Sequence, residues 1–221
     1  MQIPSGNLVP HSMLQRATDA IRAGGLVAFP TDTFFALGAD AMAATAVERV
    51  FTVKGRNPGT PVPVLVSDFA MAEQLVSRFP SPLRDLAEHF WPGALTIVLP
   101  ASEVVPGVVA AGTGTVGLRV PDHDLARALI AASNTPLTGT SCNVSGGLPI
   151  KDPEIVRQQF GDKISVVIAA PCGDNTLPST VIGLADSAGG ASQGDNTVRM
   201  LRAGAIDIDS LRKIVGDIIF E

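Results

Sequence analysis

Short apolar runs of strand length recur along this chain, and stretches with helical period fall between many of them. The runs cover residues 26–29, 62–66, 95–99, 116–120, 137–140, 164–168, 180–184 and 197–201. Most are apolar throughout instead of alternating with polar residues, so both faces of the sheet they form need covering. The pattern predicts an α/β fold: a twisted, mostly mixed β-sheet flanked by helices. It is mixed because some strands follow one another without a helix between them.

The first predicted helix spans 12–23, with Met13, Leu14, Ala17, Ala20 and Ile21 on one face and Gly24-Gly25 as its stop. Thr45 and Glu48 have capping-box spacing for a helix ending near Lys54, and Pro82 and Pro153 sit at first-turn positions after Ser81 and Asp152. A last helix is expected over 209–215. The 22 glycines and 17 prolines are spread as punctuation and are not gathered into a linker. That distribution points to one domain over 1–221, with its core at about 14–204. The small, polar stretch 186–196 reads as a connecting loop.

With 46% hydrophobic and 17% charged residues, the 221-residue chain can bury a core without staples. No apolar run approaches the roughly 20 residues that span a bilayer, and residues 1–10 lack a basic-then-apolar leader. No membrane association and a cytoplasmic location are therefore expected. A net charge of -5 disfavours broad nonspecific contact with nucleic acid and leaves room for a small basic pocket. Cys142 and Cys172 form neither a zinc spacing nor a disulfide framework, and the three histidines never pair at metal-ligand spacing, so no protein-held metal is expected.

Familiar catalytic motifs are absent or misplaced. Gly112, Gly114 and Gly117 satisfy G-x-G-x-x-G, but a strand follows where the dinucleotide fingerprint needs a helix. Ser141, Ser145 and Ser179 have no histidine locally tied to them. Trp91, beside Pro92-Gly93, reads as a packing anchor.

The sparse charges and hydroxyls fall at strand and helix ends. Pro30-Thr31-Asp32-Thr33 follows the first strand, where ligands of open α/β sheets bind; a local turn explains it equally well. Lys54-Gly55-Arg56 leads into a Gly/Pro-rich loop. Its two cations suit phosphate oxygens, but taken in isolation the tripeptide fits the C-terminal end of a helix dipole better. Arg119, inside an apolar strand, demands an anionic partner, and Asp122 is the nearest in sequence. The 138–147 run (TGTSCNVSGG) offers a dense set of neutral donors after another strand, and Ser179-Thr180 and Arg202 repeat the theme.

In this order, Pro30-Thr31-Asp32-Thr33 with Leu37-Gly38, Lys54-Gly55-Arg56, Trp91-Pro92-Gly93, Arg119-Val120-Pro121, Ser141-Cys142-Asn143, Ser179-Thr180-Val181 and Leu201-Arg202-x-Gly204 resemble the YrdC family of L-threonylcarbamoyladenylate synthases. The likeness extends over nearly the whole chain and fits the short form, without the additional domain of longer relatives. It implies a YrdC-like fold and a nucleotidyltransferase joining L-threonine, bicarbonate and ATP, with magnesium, into threonylcarbamoyl-AMP and pyrophosphate. The product would serve tRNA modification through downstream transferring proteins, with at most weak RNA contact by this chain. The resemblance further places Thr33, Arg119 and Ser179 at the threonine and Lys54, Arg56, Ser141 and Asn143 at the reacting groups. Arg56, Thr60, Thr115, Ser141, Asn143 and Arg202 would hold ATP.

The sequence departs from the family pattern at several positions. Phe35 and Ala36 stand where tyrosine and glycine are usual, Thr60 where Lys or Asn is, Cys142 for alanine and Ala203 for proline. Two other readings compete: a YrdC-like enzyme that activates a simple carbamoyl group, and a noncatalytic RNA-binding module.

Overall fold

The structure, a computed structural model, describes residues 11–185 and 197–220. The expectations for 1–10 and for the connecting loop 186–196 lie outside those residues.

Helix α1 (His11–Arg22) buries Ala17 and Ile21 and stops at Gly24, whose φ of 75° lets the Gly24 and Gly25 N–H groups close back on Ile21 and Ala20. Strand β1 (Val27–Phe29) then runs through the interior. Val27 and Phe29 pack toward α1, while Leu26 and Ala28 pack on the other side against α2 (Ala44–Lys54). Burial on both faces is what its unbroken apolar sequence demands. A turn through Pro30-Thr31-Asp32-Thr33 reverses the chain into β2 (Ala36–Gly38), a strand hidden in sequence by its shortness.

The chain continues through β3 (Val64–Leu65), α3 (Phe69–Gln74), α4 (Ser81–Phe90), β4 (Leu95–Pro100), α5 (Gly107–Ala110), β5 (Thr115–Arg119) and α6 (Asp124–Ser133). It then passes through β6 (Leu137–Thr138), β7 (Thr140–Ser141), α7 (Pro153–Phe160), β8 (Val166–Val167), β9 (Thr180–Leu184), β10 (Val198–Arg202), α8 (Ile208–Val215) and β11 (Ile218–Phe220). Among the described residues the strands form two mixed sheets, β7-β2-β1-β8 and β11-β10-β9-β4-β5-β3-β6. The α/β class stands, with two sheets where one was expected.

The division occurs at Gly139. A Cβ there would lie 2.5 Å from Leu65 Cγ, so the expected strand over 137–140 breaks into β6 on one sheet and β7 on the other. Thr138 ties the two sheets together: its hydroxyl donates to Leu37 O at 2.9 Å and accepts from Ala39 N at 3.0 Å.

Helix starts differ in detail from expectation. The Thr45–Glu48 box does not form, because α2 begins at Ala44 after Ala43, which makes no side-chain cap. Pro80, not Ser81, precedes α4. Asp152 caps α7 as its sequence indicates, accepting from Glu154 N at 2.8 Å. The largest core packs Leu83 and Leu86 of α4 and Leu211 of α8 against Leu95, Ile97, Leu118 and Ile182 of the larger sheet. Trp91 packs its ring near Phe69 and Phe79 and donates to Leu95 O, as an anchor should. No described helix is long and apolar enough to cross a membrane.

Candidate active site

At the C-terminal end of α2, Gly55 takes a left-handed conformation (φ 60°) and turns the chain so that Lys54 and Arg56 both face the 140–147 loop. They line a cleft of about 360 Å³ with Asn57, Thr60, Thr140, Ser141, Asn143, Ser145 and Gly146. Lys54 is only 3% exposed. Its ammonium donates to the carbonyls of Ser141 and of Asn143, the latter at 2.6 Å, and its own carbonyl accepts from Ser145 N. Burial pushes the Lys54 ammonium down from 10.5 to about 8; Cys142 opposes the fall and the Arg56 charge adds to it.

Arg56 donates from Nη1 to Thr140 Oγ1 at 3.2 Å and from Nη2 to Pro61 O at 2.7 Å. Its Nε is buried without a partner among the described residues. Ser141 Oγ donates to Asn143 Oδ1 at 2.5 Å, and Asn143 Nδ2 donates to the carbonyls of Val144 and Gly147, so the loop is braced from within. The result is two cations with hydroxyls and a tight turn around an open cleft whose lining, among the described residues, contains no carboxylate. That composition suits phosphate oxygens. Cys142, between Ser141 and Asn143, faces the core, and burial pushes its thiol up to about 12.

A second cationic cluster gathers at neighbouring strand ends. Arg119 closes β5 and is 6% exposed. It donates from Nε to Gly93 O at 2.8 Å, from Nη1 to Thr33 Oγ1 at 3.2 Å and from Nη2 to Asp32 Oδ1 at 2.5 Å. The partner is therefore Asp32, not the expected Asp122, which lies 3.6 Å from Arg127. Gly93 is required for this contact: a Cβ there would sit 2.3 Å from Phe90 O. Ser179 shares a 2.8 Å hydroxyl contact with Thr96 and accepts from Arg202 Nη2 at 3.1 Å. Partial burial and the nearby Arg119 charge both lower the Arg202 guanidinium.

The two clusters are joined through β2 and β7. Ala36, three residues beyond Thr33, pairs with Ser141, and Phe35 O accepts from Cys142 N at 2.7 Å. Thr33, Arg119, Ser179 and Arg202 thus converge on one side, and Lys54, Arg56, Thr60, Ser141 and Asn143 on the other. Thr115 stands apart from Arg119, opening β5 at its opposite end with its hydroxyl 2.9 Å from that of Thr113. Asp32 as a long-range partner was not evident from the sequence, nor were Thr96 and Asn57. An acidic residue flanked by hydroxyls directly after a buried strand was the available signal for Asp32. Neither Ser141 nor Ser179 has a histidine among these partners, and no described group of three or more His, Cys, Asp or Glu residues is arranged to hold a metal.

Among the described residues, the α/β scaffold carries two adjoining cationic subsites, the composition of a class of protein suited to anionic ligands. Residues 19–204 match the Sua5/YciO/YrdC family, described as "Telomere recombination", and the chain belongs to that family. It is 37% identical over 202 residues to the threonylcarbamoyl-AMP synthase of Pyrococcus abyssi, covering 91% of this chain and 57% of that protein. Against the Vibrio vulnificus (strain YJ016) threonylcarbamoyl-AMP synthase it is 34% identical over 172 residues, covering 77% of this chain and 92% of the relative. The chain therefore spans little more than half of the first relative and nearly all of the second. Its fold superposes on P. abyssi Sua5 complexed with L-threonine with a TM-score of 0.86 at 36% identity, covering 94% of this chain and 58% of that one. Escherichia coli YciO, at 24% identity and a TM-score of 0.77 over 90% of this chain and 93% of that one, shares the fold.

Proposed function

We propose that this chain is a threonylcarbamoyl-AMP synthase, a cytoplasmic nucleotidyltransferase that condenses L-threonine, bicarbonate and ATP for tRNA threonylcarbamoyladenosine modification. The observation that carries the reading is the pairing of a carboxylate-free Lys54–Arg56 cleft with the Arg119 cluster across the β2–β7 junction. A phosphate-bearing and a carboxylate-bearing substrate then meet between them. The whole reaction lies within one catalytic unit.

The threonine amine and bicarbonate form a carbamate with loss of water. A carbamate oxygen then attacks the α-phosphorus of ATP, and pyrophosphate departs in line. No protein nucleophile takes part, so the work of the site is alignment and charge neutralisation. Each of the three Arg119 nitrogens holds one protein oxygen, which leaves two N–H groups for the threonine carboxylate. Thr33 and Ser179 flank it. Lys54 retains one N–H beyond its two carbonyl contacts; with Arg56 and the hydroxyls of Thr60 and Ser141 it receives phosphate oxygens, while Asn143 fixes the loop. Arg202 contributes from the Ser179 side, and Thr115 supports the outer part of the nucleotide.

Magnesium arrives as part of the nucleotide substrate. Hydroxyl, amide and cationic groups line the described cleft, so the ion would enter on the nucleotide and would supply further neutralisation of phosphate charge there. The adenylate passes to the proteins that transfer the threonylcarbamoyl group to tRNA. The test is pyrophosphate release from ATP, magnesium and bicarbonate with and without L-threonine. Release dependent on both threonine and bicarbonate is expected; threonine-independent release contradicts the assignment.

A further inference from the structure

The two carboxylate oxygens of Asp32 differ in their contacts. Its Oδ1 accepts from Arg119 Nη2 at 2.5 Å, whereas Oδ2 is buried with no hydrogen-bond partner. Among the described residues it is the only buried carboxylate oxygen in that condition. An unpaired buried acceptor is costly and calls for a donor that the described residues do not supply.

The charges around it point to the same ligand. Arg119 and Arg202 bring two positive charges to this subsite and Asp32 removes one, leaving a net charge of about +1. Among the described residues the Lys54–Arg56 cleft has no carboxylate in its lining and keeps both of its positive charges. A phosphate dianion is better matched to the second site. A carboxylate with a nitrogen donor beside it is better matched to the first, where an acid and a base lie side by side. The 169–178 segment shields this pair: Gly173 N donates to Thr31 O at 2.9 Å, and Asn175 Nδ2 donates to Asp32 O at 3.1 Å. Shielding from water strengthens each of these charge effects.

We propose that Asp32 is the specificity-determining residue of the Arg119 subsite, its Oδ2 accepting an N–H of the substrate nitrogen and its charge excluding phosphate dianions. This rests on the synthase reading for the identity of the amino acid and deepens it. Arg119 selects a carboxylate, Asp32 selects an amine next to it, and the two subsites sort their anions by charge.

Binding to the full chain, followed by calorimetry without turnover, tests the assignment. The ligands are L-threonine, 3-hydroxybutyrate (threonine without its amine) and inorganic phosphate. Wild-type protein is expected to bind threonine about tenfold or more tightly than 3-hydroxybutyrate, the worth of one charge-assisted hydrogen bond. Asp32→Asn is expected to lose that preference, because its amide turns an acceptor into a donor, and to let phosphate compete with threonine. Equal binding of both organic ligands by the wild type overturns the role of Asp32 even if the variant does not fold. An Asp32→Asn protein that keeps the preference and still excludes phosphate overturns it too. Amine-dependent threonine binding without pyrophosphate release overturns the synthase reading alone, and absence of threonine binding overturns both.

Discussion

The Arg119 guanidinium meets the Asp32 carboxylate at 2.5 Å, 87 positions away in sequence, with side chains only 7% and 8% exposed. Removing one partner of such a pair leaves a buried charge alone. Asp32→Ala should therefore destabilise the fold by about 3–5 kcal/mol in urea unfolding, and a joint Asp32→Leu, Arg119→Met variant should cost less. A single variant within about 1 kcal/mol of wild type would show that water reaches the pair.

Lys54 and Arg56 face the same cleft and should fail differently. Lys54→Met leaves the Ser141 and Asn143 carbonyls without their donor, so it should lose about 1–3 kcal/mol of stability along with activity. A loss of activity far exceeding any loss of stability is expected of Arg56 instead. Arg56→Ala should stay within about 1.5 kcal/mol of wild-type stability while the KM for ATP rises at least about tenfold. Thermal unfolding and steady-state kinetics on both variants separate the two behaviours.

The lowered Lys54 ammonium gives opposite pH trends for binding and stability. It loses its proton near pH 8 in the folded protein, whereas the unfolded chain keeps it until about 10.5. Between those values the unfolded state binds the extra proton, so this residue's contribution makes stability rise with pH and penalises the fold below the window. Phosphate affinity falls as the charge disappears, so the KM for ATP should rise above about pH 8, with an inflection absent from Lys54→Met. A KM profile flat to about pH 10 would place Lys54 outside the phosphate site.

Gly204 secures the second cluster. A Cβ there would lie 2.3 Å from Pro178 O and 2.5 Å from the Ser179 backbone carbon. Gly204→Ala should displace Ser179 and, with it, Arg202, raising the KM for threonine more than that for ATP. Equal effects on both would mean that the strain spreads through the whole sheet.

Much of this was legible because strand ends and their hydroxyls are local signals. Pro30-Thr31-Asp32-Thr33 follows an apolar run, Gly55 follows a helix, and the 138–147 run is visibly rich in donors. What stayed hidden depends on contacts distant in the chain. Asp32 reads locally as a turn residue, and only the fold brings Arg119 to it. The break at Gly139 depends on Leu65 lying against it, and β2 is too short for its period to be seen. Thr115 and Arg119 share one strand but occupy its two ends, a separation that only the strand's bounds reveal.

The most direct measurement is the mass of the nucleotide product formed from ATP, magnesium, L-threonine and heavy-carbon bicarbonate. An adenylate containing threonine and the heavy carbon, formed in step with pyrophosphate, is the expected product. An adenylate of threonine without that carbon, or no adenylate from protein that binds both substrates, would contradict the synthase reading.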